Sequence, residues 1–485
     1  MEDPRDGLSL FGPLDHGKPY GIRAGVLGTK AGVQRFKQWV EKIQGPISNT
    51  PPNIARPPFP GFEATFRIPW NPTPVLEIVV DEEELLRSLH LDDKHLRVYK
   101  AVDVYASKIL EAIKEEEAKV DIWFVIVPDD VYRYCRPKSF VDLALRVEAT
   151  GKLPVAYAQK LQAEPSLFPQ DNINAVPYHY EVNFHNQLKA RLLQHDALTQ
   201  IIRESTIAHA EILNRFGRPT RNLDRLQSAI AWHLSNAAFY KAGGRPWKIG
   251  SIREGVCYIG LVFKQDEKNP NPRSSCCAAQ MFLDSGDGVV FKGAVGPWHT
   301  PGRGDFHLDR DAARELVALA VKSYKQKKDN QPPKELFIHG KVRFNDEEWE
   351  GFREGVDSST NLVGVRIRDE RDIKLYRKGE HPILRGLAYV RDERTAYLWT
   401  KGYVPRLLTY PGREVPRPLL IDVCRGTVDI EVVLNDILAL TKLNYNACIF
   451  ADGEPVTLKF ADAVGEILTA GPDQDVPPLP FKYYI

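Results

Sequence analysis

Apolar positions recur at helical spacing from about residue 95 to 119, where Val98, Val102, Ala106, Ile109, Leu110 and Ile113 mark one face and the charged run at 114–119 forms a solvated end. A nearly unbroken apolar run, VDIWFVIV at 120–127, follows and stops at Pro128, Asp129 and Asp130. Such a run is expected of a central parallel strand covered by helices on both faces. Residues 184–195 read as a helix, 198–202 as a strand and 223–241 as a longer helix closed by Gly243 and Gly244, so an α/β alternation runs to about Gly250. From residue 256 the pattern changes. Strands at 256–263, 276–283 and 289–292, with a Gly- and Asp-rich turn at 284–288, predict an antiparallel meander.

A helix at 309–326, a strand at 335–339, a short helix from Asn345 and a strand at 361–368 complete this half. Three strands, then helix, strand, helix, strand is the order of an RNase H-like fold. The first hundred residues are dense in prolines and glycines, as in SNTPPNIARPPFPGF, and read as a segment that wraps around a larger core. At 485 residues the chain is about three times a typical domain, so two or three domains are expected.

Composition excludes more than it assigns. With 65 Lys and Arg against 64 Asp and Glu and 43% hydrophobic residues, the chain is neither a disordered tail nor a uniformly basic coat. Cys135, Cys257, Cys276, Cys277, Cys424 and Cys448 show no CxxC spacing, which points to reduced thiols, and neighbours such as Cys276 and Cys277 on one strand face opposite ways. No run is long and apolar enough for a membrane span and no signal-peptide core opens the chain, so a soluble, cytoplasmic protein is expected. Nucleotide-binding and hydrolase motifs of the GxxxxGK[ST], GxGxxG, HExxH and GxSxG types are absent.

Local charge is more informative. Between Phe184 and Gly250 ten Lys and Arg face four Asp and Glu, an asymmetry that suits either a polyanion or a merely solvated basic face. His185 and Lys189 are four apart on one helix face, Gln200 lies on the following strand, and Lys241 ends the next helix. A terminal phosphate wants this mixture of ammonium charge, neutral donors and an imidazole. Taken singly, each has a plainer role: a packed or surface histidine, a strand glutamine in water, and a lysine favoured by a helix C-terminus.

In this order, His185, Lys189, Gln200 in LTQIIREST and Lys241 in AAFYKAGGRPWKI resemble the guide 5′-phosphate motif of the MID domain of Argonaute proteins. PRDGLSLFGPL, VDIWFVIVPDDVYRYCRP, NPRSSCCAAQMFLDSGDG and LTKLNYNACIFADGEPVTLKFADAVGEIL extend the resemblance over nearly the whole chain, toward the short prokaryotic Argonautes paired with a TIR-APAZ protein. The resemblance implies an α/β chain: a Pro-rich segment at 1–100 packed on the core, a Rossmann-like MID domain at 101–250, an RNase H-like PIWI domain at 251–485, and no PAZ domain. It also implies a guide RNA, a single-stranded DNA target, a heterodimer with a TIR-APAZ NADase that assembles further on activation, and a prokaryotic defence role. In the family a C-terminal carboxylate helps hold a divalent cation against the guide phosphates, which assigns Mg²⁺ to Ile485 here.

The cutting machinery of an RNase H-like nuclease is carboxylates converging on two cations. Where an active PIWI domain resembles IGxD, this chain reads IGLV and places Val262; where Asp precedes Gly on the later strand, it has His339 and Gly340. Only Asp462 in FADAVG matches an acidic family position, and the mobile glutamate finds no certain counterpart, with Glu315 and Asp287 as available acids. Valine ligates nothing and histidine is a poor magnesium partner, so no cleavage is expected. His339 then packs or contacts the nucleic-acid backbone rather than acting as a base, and Asp462 is a surface or ion-paired residue. The alternatives are an active guided nuclease with a rebuilt metal site, or the same binding role beside a sirtuin-like effector.

Overall fold

The computed structural model describes residues 2–115, 118–265, 275–283, 288–296, 306–410, 412–472 and 479–485. Two sheets organise it. The first is a parallel sheet of β1 (Ala24–Gly28), β2 (Leu76–Val79), β3 (Ile122–Val127) and β4 (Thr199–Arg203) in the order β2-β1-β3-β4. The apolar run at 120–127 is its third strand, and all six residues of β3 are buried. Ile122, Phe124 and Ile126 join a cluster with helices Lys30–Lys42 and Gln227–Lys241, whereas Trp123, Val125 and Val127 join one with helices Lys94–Lys114 and Phe184–Leu192. Period-two alternation thus feeds two hydrophobic layers, which explains why no polar residue interrupts the run.

The first hundred residues are not a wrapping segment. They supply β1 and β2, and helix Lys94–Lys114 begins before residue 100, so an edge at 100/101 would cut through the sheet and a helix. Two glycines permit the pairing. A Cβ on Gly25 would lie 2.7 Å from the Trp123 ring, and one on Gly28 would lie 2.9 Å from the Ile126 carbonyl oxygen, so both let β1 approach β3 closely.

The second sheet has nine strands in the order β10-β11-β12-β9-β8-β5-β6-β7-β13. It contains β5 (Val256–Gln265), β6 (Ser275–Leu283) and β7 (Gly288–Gly296), an antiparallel meander, with β8 (Glu335–Gly340) and β9 (Asn361–Asp369) added in parallel on the other side of β5. Helices Arg310–Lys327 and Asp346–Glu354 fall between β7, β8 and β9, as the pattern predicts; Asp309 and Asn345 cap them through backbone N–H groups of Ala312 and Glu348. Beyond the sequence reading lie β10 (Ala388–Val390), β11 (Thr395–Leu398), β12 (Leu419–Arg425) and β13 (Leu479–Pro480).

One core joins the halves. The cluster on one face of the second sheet includes Tyr258, Phe337, Val365 and Ile421, and it also takes in Leu193, Tyr240, Phe481, Tyr484 and Ile485. β13 pairs with β7, and Phe481 packs edge-on to Phe282 at 5.3 Å. The closing turn Phe481–Tyr483 then carries Tyr484 and Ile485 in beneath the helices of the first sheet.

Candidate functional site

Helix Phe184–Leu192 starts where the Asn183 side chain accepts from the backbone N–H groups of His185 and Asn186, and its buried face includes Phe184, Leu188 and Leu192. Lys189 shares that inward face, so its stem is buried and its ammonium is carried to the end of the chain. Lys189 Nζ donates to the main-chain oxygens of Ile485 at 2.9 Å and Tyr483 at 3.3 Å. Lys241 arrives from the other side, on a helix so apolar that Trp232, Ala237, Ala238 and Phe239 are all buried. Gly243 (φ +104°) ends that helix, with the Gly244 N–H donating to the Phe239 carbonyl at 3.0 Å.

Lys241 Nζ donates to the Ile485 oxygen at 2.5 Å, the Gln200 Oε1 at 2.8 Å and the Thr199 carbonyl at 3.0 Å. Lys189 and Lys241 are only 3% and 1% exposed. Burial pushes the Lys189 ammonium down to about 7, and it pushes Lys241 well below the ordinary lysine range, helped by the Lys189 charge. Burial and mutual repulsion thus disfavour charging both amines where they meet in a notch at the amino end of β4, and an entering anion would favour their charged forms.

His185 stands at the rim. Its Nδ1 lies 3.0 Å from Asn186 Oδ1. Although the residue as a whole reaches the surface, partial burial of its ring and then the nearby Lys189 charge hold its imidazole below the ordinary range. The four residues His185, Lys189, Gln200 and Lys241 thus come together with Ile485. Lys482 was not singled out from sequence. Its Nζ donates to the Lys241 carbonyl at 3.1 Å, and its lysine character three residues from Ile485 was the available signal.

The basic excess between 184 and 250 does not form one patch. Arg191 is paired with Asp103 at 2.5 Å, Arg203 lies 3.8 Å from Asp129, and Arg215, Arg218 and Arg225 sit on an exposed loop at the other end of helix Gln227–Lys241. A cleft of about 1080 Å³ lies elsewhere, between helices Pro4–Phe11 and Ile430–Leu440, and none of the notch residues lines it. One oxygen of Ile485 already accepts from two ammonium groups. Among the described residues no group of three or more His, Cys, Asp or Glu could hold a metal ion. The described side chains do not make a Mg²⁺ site by themselves, and a cation there would depend on the Ile485 carboxylate together with guide phosphates.

In the second sheet His339 is 1% exposed on β8, beside Gly260 of β5. Its Nδ1 lies 2.9 Å from Thr457 Oγ1, its ring lies 5.8 Å from that of Tyr258, and burial pushes it down to about 3, so it is neutral at pH 7. A Cβ on Gly260 would lie 1.8 Å from the Thr457 carbonyl oxygen, so helix Val456–Lys459 closes directly over this point. Val262 lies on β5 and Asp462 in helix Ala461–Leu468, but their side chains, with those of Cys276 and Cys277, are outside what the structure describes. Asp287 is outside the described residues altogether, while Glu315 lies exposed on helix Arg310–Lys327.

The architecture is shared with solved proteins. Over 98% of its length the chain matches the structure of Clostridium butyricum Argonaute bound to a guide DNA and a 19-mer target DNA, with a TM-score of 0.61 and 13% identity. It also matches Drosophila Piwi (TM-score 0.55, 12% identity, 100% of this chain). A third match is Marinitoga piezophila Argonaute in complex with 5′ OH guide RNA (TM-score 0.53, 13% identity, 100% of this chain). The chain spans about half the length of these proteins, 52%, 54% and 57% respectively. No protein-family model and no curated protein sequence matches it. At such identities the likeness is one of fold: this is an α/β chain with the fold of Argonaute and Piwi proteins. No helix among the described residues is long and apolar enough to cross a membrane.

Proposed function

We propose that the chain is a short Argonaute with MID and PIWI domains that grips the 5′ phosphate of a small guide RNA and does not cut. The observation that carries this reading is the convergence of Lys189, Lys241 and Gln200 on one dry point at the amino end of β4, with His185 at its rim. An incoming phosphate would take over the ammonium protons now shared among main-chain oxygens, and Gln200 would orient one of its oxygens. Base pairing, not side-chain readout, would then select a complementary single-stranded DNA.

The reading of the second half as a non-nuclease rests on Val262 and His339 standing where acids would be needed, and on His339 being neutral and enclosed. The long strings that resemble those of Argonautes paired with a TIR-APAZ protein support such a partner, an NADase acting in prokaryotic, cytoplasmic defence against plasmids or phage. The decisive experiment is to purify the native complex and determine the sugar, length and 5′ end of any nucleic acid that travels with it, and the mass of any co-purifying protein. A 5′-hydroxyl population, or no nucleic acid at all, would sink the notch as a guide site. A partner without TIR and APAZ domains would sink only the effector assignment. Incubating guide, labelled complementary target and Mg²⁺ or Mn²⁺ with the protein should give no site-specific product.

A further inference from the structure

The loop between β4 and helix Gln227–Lys241 is not shapeless. Residues 212–220 form a small hairpin: Leu213 bridges Pro219, Asn214 N–H donates to the Arg218 carbonyl at 2.7 Å, and Thr220 N–H donates to the Ile212 carbonyl at 2.8 Å. The Asn214 side chain accepts from the backbone N–H groups of Phe216 at 2.9 Å and Arg218 at 3.2 Å, and Gly217 (φ +70°) makes the turn. What this rigid frame presents is unusual. Phe216, at the tip, is 70% exposed, and the Arg215 guanidinium lies 4.7 Å from its ring centroid. Arg215, Arg218 and Arg225 form no ion pair with a carboxylate among the described residues, and all three are exposed. Arg221, at the base, donates to Thr206 Oγ1 at 2.8 Å and ties the hairpin to the carboxyl end of β4.

A large aromatic held in water with free guanidinium groups around it suits a ligand that offers both flat faces and regularly spaced anions. We propose that hairpin 212–220 is a second contact for single-stranded nucleic acid, in which Phe216 stacks on a base while Arg215 and Arg218 take phosphates. This rests on reading the chain as a single-strand binder. Helix Gln227–Lys241 separates the hairpin from the notch, and its 15 residues span about 22 Å. At about 3.4 Å per stacked nucleotide, a strand anchored in the notch reaches the hairpin after about six. An acidic membrane surface would use the charge but gives no reason for a braced aromatic tip.

The test compares 3′-labelled single strands of 4 and 15 nucleotides, each with a 5′ phosphate or a 5′ hydroxyl, on the full chain carrying Phe216→Ala or Arg215→Ala with Arg218→Ala. Phe216→Ala should weaken the 15-mer at least fivefold. The double arginine change should weaken it and make the salt slope shallower by about 1.4. The 4-mer should change less than twofold, and the preference for a 5′ phosphate should stay as in the unaltered protein. Unchanged 15-mer affinity and slope would overturn the hairpin proposal; so would intact 15-mer binding with lost binding to phosphatidylserine vesicles. If the unaltered protein ignores the 5′ phosphate while the length effect persists, the notch reading fails and the hairpin stands. The altered residues are exposed, so melting temperatures should match within a degree or two.

Discussion

Replacing Lys189 and Lys241 by methionine, singly and together, tests the notch most directly. Each lysine would meet the phosphate as a charge-assisted contact, which contributes about 1.5–3 kcal/mol. At about 1.4 kcal/mol per tenfold, the preference for a 5′-phosphorylated strand over its 5′-hydroxyl counterpart should fall about tenfold or more for each change. The double change should cost a hundredfold or more. Part of the gross energy is returned, because the ammonium groups must leave the Ile485, Tyr483 and Thr199 oxygens that they now hold.

Folding should survive. Methionine keeps most of the stem volume, and removal of a buried charge offsets the loss of a donor to those oxygens. Fluorescence anisotropy with labelled strands of identical sequence, with and without the phosphate, gives the ratio, and a melting curve checks the fold. Equal losses for both strands, or an unchanged ratio, would refute the claim that these lysines read the phosphate.

Because burial lowers Lys189 to about 7 and a bound phosphate would keep it protonated, affinity for the phosphorylated strand should decline as pH rises from 7 to 9, with proton uptake visible by calorimetry in buffers of different ionisation enthalpy. The same shift means that the unfolded chain binds more protons than the folded one between about 7 and the ordinary lysine value of 10.5, so ligand-free stability should rise with pH across that window, less so in Lys189→Met. His339, held near 3, has the opposite consequence: stability should fall as pH drops from about 6.5 toward 3, and circular dichroism melts of His339→Asn should show a weaker decline. His339→Asp should bury a carboxylate with Thr457 Oγ1 as its hydroxyl partner, cost about 3 kcal/mol or more in denaturant unfolding, and yield no cleavage of a labelled target. Deleting Tyr484 and Ile485, both buried, should cost about 3–6 kcal/mol from lost apolar burial and weaken phosphate selectivity along with it.

What was legible in the sequence was whatever one element could reveal alone. The run at 120–127 announces β3 because both of its faces are buried, and the spacing of His185 and Lys189 places them on adjacent turns of one helix. β1 escaped notice for the opposite reason: five residues with glycine at both Gly25 and Gly28 carry little strand propensity, and their justification is the Trp123 ring and Ile126 backbone almost a hundred residues away. β10 to β13 escaped because each is short or interrupted and gains its place by pairing with distant strands. For the notch, residue types and order could be read. That Lys189 and Lys241 would meet on the oxygen of Ile485, separated from them by 296 and 244 positions, belongs to the tertiary fold.

That meeting carries a consequence for biosynthesis. Lys189 and Lys241 leave the ribosome long before residues 483–485, whose oxygens they hold, so a nascent chain has the cationic walls without the floor. Until residues 483–485 are made and folded in, the two ammonium groups lack the oxygens they hold in the finished fold.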